Sequence, residues 1–199
     1  MKHETGFKMF LSRVITLYYF SRKKLSAIPG ERLFILGHMR GGTSLLAHIL
    51  NTNPEISIYG ETHSNYYSQD DVDQLAITVC RFLGDLRMSA RIIGDKILHR
   101  QIEVYEDMFA NERHRFLFSV RNPSDTIASI QKLDINFTRE EAELYYIKQL
   151  AWVRNLWDKI SDKERKRLFR YEQLLEETDS VLRDLSEFLQ LKVPLTPNY

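Results

Sequence analysis

Cysteine is nearly absent: Cys80 is the only one in 199 residues, so no disulfide framework can form within one chain. That fits a reducing compartment, and a cytoplasmic location is the expectation. Cys80 falls in a helical pattern without basic neighbours and reads as a buried structural thiol rather than a reactive one. An excess of charge is also missing. Lys and Arg number 28 against 27 Asp and Glu, a net charge of +1, which gives no general polyanion binder and no nucleic-acid partner; any anion site has to be local. Long apolar runs are missing as well. The uncharged stretch Val14 to Phe20 falls far short of the ~20 residues of a spanning helix, and no small-residue cleavage site follows it. Residues 1–28 read as a leading helix with a basic end, whose apolar face could pack on a second copy of the chain to make a homodimer. A helix lying in a membrane interface is the alternative for this stretch, although membrane association is not expected. Repeats, low-complexity tracts and convincing linkers are absent too, so residues 1–199 are expected to form one domain.

What is present alternates. Buried-strand patterns occur at Leu33 to Leu36, in "ISIYG", in "ARIIGDKIL", at "HRFLFSV" (114–120) and in "KRLFRYEQLL", the last running into a turn. Helical patterns occur at Thr43 to Asn51, in "QDDVDQLAITVCRFLGDL", in "QIEVYEDMFA", after Pro123, in the long segment "TREEAELYYIKQLAWVRNLWDKI" and in "DSVLRDLSEFLQL". Strands alternating with helices predict an α/β, P-loop-like three-layer fold, a central parallel sheet flanked by helices. In such sheets ligands bind at the carboxyl ends of the strands. The segments that draw attention fall there: the loop after Leu36, Gly60-Glu61, Asp95-Lys96, Arg121 and Tyr171.

The segment "LFILGHMRGGTSLLAHIL" (33–50) is a strand, a glycine-containing turn and a helix start. Free backbone N–H groups and the positive end of the helix dipole converge at such a turn and make an anion cradle. Gly37 and Gly42 have the spacing of the nucleotide-hydrolase loop G-x-x-x-x-G-K-[ST], but Thr43 stands where its lysine would be, and the basic residue is Arg40 inside the loop. Further along, Arg121 leaves a strand end and Ser129 follows eight residues later. A guanidinium and a hydroxyl aimed at one spot suit a phosphate monoester.

Together these segments resemble the sulfotransferase family. Arg40, Gly41, Gly42, Thr43 and Ser44 fall on its phosphosulfate loop, [KR]-x-G-T-[TS]. Arg121 and Ser129 fall on its 3′-phosphate motif, and Tyr171 in "RYEQLLE" on its late "YEDL"-type segment. The likeness covers roughly residues 32–191, which would be the nucleotide-binding and catalytic core. It implies 3′-phosphoadenosine 5′-phosphosulfate as donor, 3′-phosphoadenosine 5′-phosphate as product and no metal. It also implies in-line transfer of the sulfuryl group to a hydroxyl or amine on a small molecule, carbohydrate or peptide.

The stretch "YGETHSNYY" most resembles the "GEETR" segment of tyrosylprotein sulfotransferases, in a compact, bacterial-type chain. Glu61 matches that segment's glutamate base and His63 replaces its arginine, so both are candidates for the base, Glu61 first. The "KTH" segment of many cytosolic members does not fit, because His99 is displaced by one position from Lys96. Lys96 is the expected stabiliser of charge on the bridging oxygen, with Asp95 orienting it, and Arg40 is expected to steady the departing phosphate together with Lys96. No counterpart of the C-terminal glycine-rich nucleotide motif of cytosolic members is evident. "SNYYSQDD" and the aromatic long helix are candidates for lining the acceptor cleft. Two rivals stay open. One is a P-loop kinase or nucleotide hydrolase with Asp95 as metal ligand; the other is a non-catalytic member of the fold.

Overall fold

The computed structural model describes residue 14 and residues 30–84, 90–133 and 138–197. Apart from Val14, the expected leading helix lies outside the described residues, and with it the face proposed for a second copy. Five strands follow in chain order: β1 (Glu31–Leu36), β2 (Ile56–Ile58), β3 (Ile92–Ile97), β4 (His114–Val120) and β5 (Lys166–Arg170). The helices are α1 (Thr43–Asn51), α2 (Gln69–Leu83), α3 (Asp107–Ala110), α4 (Pro123–Gln131), α5 (Arg139–Lys159), α6 (Tyr171–Glu176) and α7 (Thr178–Phe188), with a short 3₁₀ turn at Lys163–Arg165. The strands form one sheet in the order β2-β3-β1-β4-β5, and every pairing is parallel.

The near-continuous apolar run of β1 follows from burial on both faces. Side chains alternate across a strand, so Leu33 and Ile35 point into one core with α1, α6 and α7. Phe34 and Leu36 point into the other with α2, α3 and α5, beside Phe116 and Phe118 of β4. The three-layer arrangement expected from the sequence is therefore the one found. From β1 the chain winds first to one side, through β2 and β3, then crosses β1 to reach β4 and β5. Loops leaving neighbouring strand ends diverge at that reversal and open a crevice.

Local signals set the helix starts. Asn122 accepts from the amides of Ser124 and Asp125, and Pro123 supplies the first turn of α4. Thr138 and Glu141 cap α5 reciprocally, at 3.2 Å and 2.8 Å. Two expectations change. The segment "QIEVYEDMFA" is helical only over Asp107–Ala110, because Glu103 and Tyr105 give their backbone groups to Tyr66, each bond 2.8 Å. The residues after β5 form α6 rather than a turn, with Gln173 Oε1 accepting from the Arg170 amide at 3.1 Å.

Candidate active site

The loop after β1 is held from beneath and open above. Arg40 and Gly42 both take positive φ, 63° and 83°, which turns the chain sharply into α1. No side chain caps the start of α1 and no acid stands in its first turn, so its N–H groups and dipole are left for an anion. Gly42 is required twice over: a Cβ there would lie 2.2 Å from Cδ2 of Tyr171. Ser119 Oγ donates to the Gly41 carbonyl at 2.5 Å, and Tyr145 Oη accepts from the Met39 amide at 3.0 Å. Gln149 Nε2 donates to the carbonyls of Gly37, at 3.0 Å, and Leu98, at 2.9 Å, tying the loops after β1 and β3 together. His38 is buried below the loop, its Nδ1 2.8 Å from the Met39 carbonyl and its ring edge-on to Tyr146. Burial lowers its pKa, and the nearby Arg121 charge acts in the same direction, so the ring is neutral.

On the β4 side, the Arg121 guanidinium lies 4.5 Å from the centre of the Tyr171 ring. Its Nη1 donates to the Arg40 carbonyl at 3.3 Å, while its Nε is buried and has no partner among the described residues. Ser129 accepts from Arg40 Nε at 2.7 Å. The sequence spacing pairs Arg121 with Ser129; the structure links both through Arg40 in a single cluster. Glu172 accepts from the Asn122 amide at 2.9 Å. Burial pushes its carboxyl upward, but this bond and the charges of Arg121 and Arg170 hold it below its usual value.

On the β3 side, Lys96 is 6% exposed, its Nζ 3.1 Å from Ser44 Oγ and 3.4 Å from Glu61 Oε1. The anion loop and the candidate base thus share one ammonium. Glu61 follows Gly60, whose carbonyl accepts from the Lys96 amide at 2.9 Å, and its other oxygen lies 3.2 Å from His99 Nε2. His63 stands close by, with ligating atoms of Glu61, His63 and His99 all within 4.8 Å of one another. Asp95 does not orient Lys96. Successive strand residues face opposite ways, and its carboxylate accepts from Thr62 N and Oγ1, at 2.9 and 2.8 Å, and from the Tyr66 hydroxyl at 2.5 Å. Burial raises its pKa. Its role is to anchor the segment that carries Glu61 and His63.

These groups line a cleft of about 310 Å³. Arg40, Thr43, Ser44, Glu61, Arg121 and Tyr171 supply its polar side, and Met39, Leu98 and Leu133 its apolar wall. All the sequence candidates gather at this end of the sheet except the expected acceptor lining. Tyr66 of "SNYYSQDD" is fully buried against Asp95, and the aromatics of α5 pack into the core or grip the loop. His38, Ser119, Tyr145 and Gln149 escaped sequence reasoning. Only Gln149 carried a signal, as the polar member of the buried stripe Ala142, Tyr146, Gln149, Val153, Leu156 on α5.

The sequence profile of the sulfotransferase domain family matches residues 30–197. No curated protein sequence matches the chain. Among solved structures the chain resembles the sulfotransferase domain from the curacin biosynthetic pathway, with a TM-score of 0.57 and 21% identity over 85% of this chain and 76% of that one. It resembles a mouse sulfotransferase complexed with PAP at a TM-score of 0.53 and 17% identity, over 82% of this chain and 59% of that one. Shikimate kinase from Bacteroides thetaiotaomicron shares the fold at a TM-score of 0.50 and 14% identity, over 81% and 99%. Likeness at these identities is likeness of fold, and it reaches sulfotransferases and kinases alike. The family profile discriminates between them, and by it the chain belongs to the sulfotransferase domain family.

Proposed function

We propose that the protein moves a sulfuryl group from 3′-phosphoadenosine 5′-phosphosulfate to a hydroxyl or amine acceptor. The observation that carries this reading is Lys96, placed between Ser44 of the anion loop and Glu61, at 3.1 and 3.4 Å. The donor supplies an activated sulfuryl group on a phosphate leaving group. The residues present suit it: the uncapped start of α1 with Arg40, Thr43 and Ser44 for the phosphosulfate, and Arg121 and Ser129 for the 3′-phosphate, Arg40 reaching across to Ser129.

In this reading Glu61 accepts the proton of the attacking group, and Lys96 balances charge on the departing oxygen. The tyrosylprotein-like character of the base segment belongs to the same proposal, with His63 where those enzymes have arginine. Residues 32–191 form the nucleotide-binding and catalytic core of a single domain. The acceptor is a small molecule, carbohydrate or peptide, taken against Leu98 and Leu133. A cytoplasmic location fits the lone buried Cys80, and among the described residues no helix is long and apolar enough to cross a membrane. The kinase reading loses support, since Asp95 spends its carboxylate on Thr62 and Tyr66 across the sheet from Lys96.

Thermal unfolding tests the donor site. At about a hundred times its dissociation constant, 3′-phosphoadenosine 5′-phosphate stabilises the protein by ~2.7 kcal/mol without added metal. Arg121→Ala removes most of that gain, and ATP with Mg²⁺ gives less. Stabilisation by ATP with Mg²⁺ alone overturns the reading.

A further inference from the structure

The segment Gly60 to Ser64 holds an unusual conformation at some cost. His63 has φ 54°, in the left-handed region that few non-glycine residues adopt, histidine more readily than most. The preceding residue is pinned by two bonds from Thr62 to the buried Asp95, at 2.9 and 2.8 Å. The result sets His63 beside His99, ring centroids 5.7 Å apart. Lys96 engages Oε1 of that carboxylate, which leaves Oε2, 3.2 Å from His99 Nε2. A tetrahedral ion with bonds near 2.0–2.1 Å sets its ligand atoms about 3.3 Å apart. The Glu61–His99 pair already has that spacing. The group as a whole lies within 4.8 Å, so side-chain rotation of the exposed His63 has to close about 1.5 Å at most.

We propose that Glu61, His63 and His99 form a binding site for a borderline divalent ion such as Zn²⁺, at the edge of the cleft that Glu61 lines. Two imidazoles and one carboxylate select zinc over magnesium, which prefers oxygen ligands. Occupation takes up the Glu61 oxygen that would receive the acceptor's proton, so the ion suppresses transfer and a chelator restores it. That consequence rests on the sulfotransferase reading; the binding itself does not.

The test is a titration of the full chain with Zn²⁺ alone against a chromophoric chelator, with no donor or acceptor present. Expected is one equivalent of Zn²⁺, undisturbed by millimolar Mg²⁺. His63→Ala and His99→Ala each weaken binding at least ~10-fold, in line with loss of a metal-fixing group, and the double variant abolishes it. Stabilisation by 3′-phosphoadenosine 5′-phosphate, followed in the same variants, reports that the fold and the nucleotide site survive. Equal zinc affinity in the wild type and the double variant, or displacement by Mg²⁺, overturns the metal site. If zinc binds as described while the nucleotide fails to stabilise the wild type, the donor reading falls and the metal site stands.

Discussion

Of the charged groups around the cleft, Lys96 is the most enclosed, and it faces a hydroxyl of the anion loop on one side and a carboxylate on the other. A buried ammonium so placed needs no reorganisation when charge develops on a departing oxygen. Lys96→Ala is expected to slow release of 3′-phosphoadenosine 5′-phosphate from the donor by about 10²–10³-fold, the usual cost of losing one preorganised donor. Binding of that nucleotide, followed by thermal unfolding, stays close to wild type, because Arg40, Arg121 and the loop amides remain. A parallel loss of nucleotide stabilisation would assign Lys96 to binding instead. Its candidacy was legible from its position at a strand end. Asp95 and Lys96 are neighbours on a strand and face opposite sides. His99 was set aside on motif spacing, yet the chain after β3 turns and returns it to Glu61 at 3.2 Å.

Helix α5 does more than cover the sheet. Tyr145, Tyr146 and Gln149 project from one stretch of it onto the ends of β1, β3 and β4. Tyr146 donates to the Arg121 carbonyl at 2.8 Å, so the helix that positions the loop also positions Arg121. Gln149→Leu keeps the volume but withdraws the donor from two carbonyls, and is expected to cost about 2 kcal/mol. Urea unfolding measures that loss, and the same variant binds 3′-phosphoadenosine 5′-phosphate more weakly because the loop is no longer tied to Leu98. Unchanged stability would mean that water replaces the amide. The helix itself was legible as the long helical segment that carries both tryptophans. Its grip on the loop was not, since that depends on which face of α5 meets the strand ends.

For the molecule as a whole, His114 makes stability depend on pH. It is 1% exposed, and burial, reinforced by the charges of Arg32 and Arg165, lowers its pKa from 6.5 to about 4 against the pull of its bond to the Met108 carbonyl. Between those values the unfolded chain binds a proton that the folded chain does not. The contribution is therefore complete above pH 6.5 and is lost as pH falls through 6.5 toward 4, ~3 kcal/mol in all. Asp95, its pKa raised by burial, acts in the opposite sense above the ordinary carboxylate range. Denaturant midpoints across this window in wild type and His114→Asn, which keeps a donor for Met108, are expected to show a flatter profile in the variant; matching slopes would exclude His114. The sequence by itself determined the layered α/β architecture and the strand ends at which chemistry collects, because side-chain periodicity and the glycine-containing turn are local properties of the chain. It also marked Arg40, Arg121, Ser129, Glu61 and Lys96 as candidates, since each sits in a short segment with its own spacing. Only the tertiary structure decided that Arg40 bridges to Ser129, that Asp95 anchors the loop of Glu61, and that His99 joins His63 there. Those contacts join residues from 33 to 89 positions apart, and they are fixed by strand order and by the face each side chain takes, which no local pattern encodes.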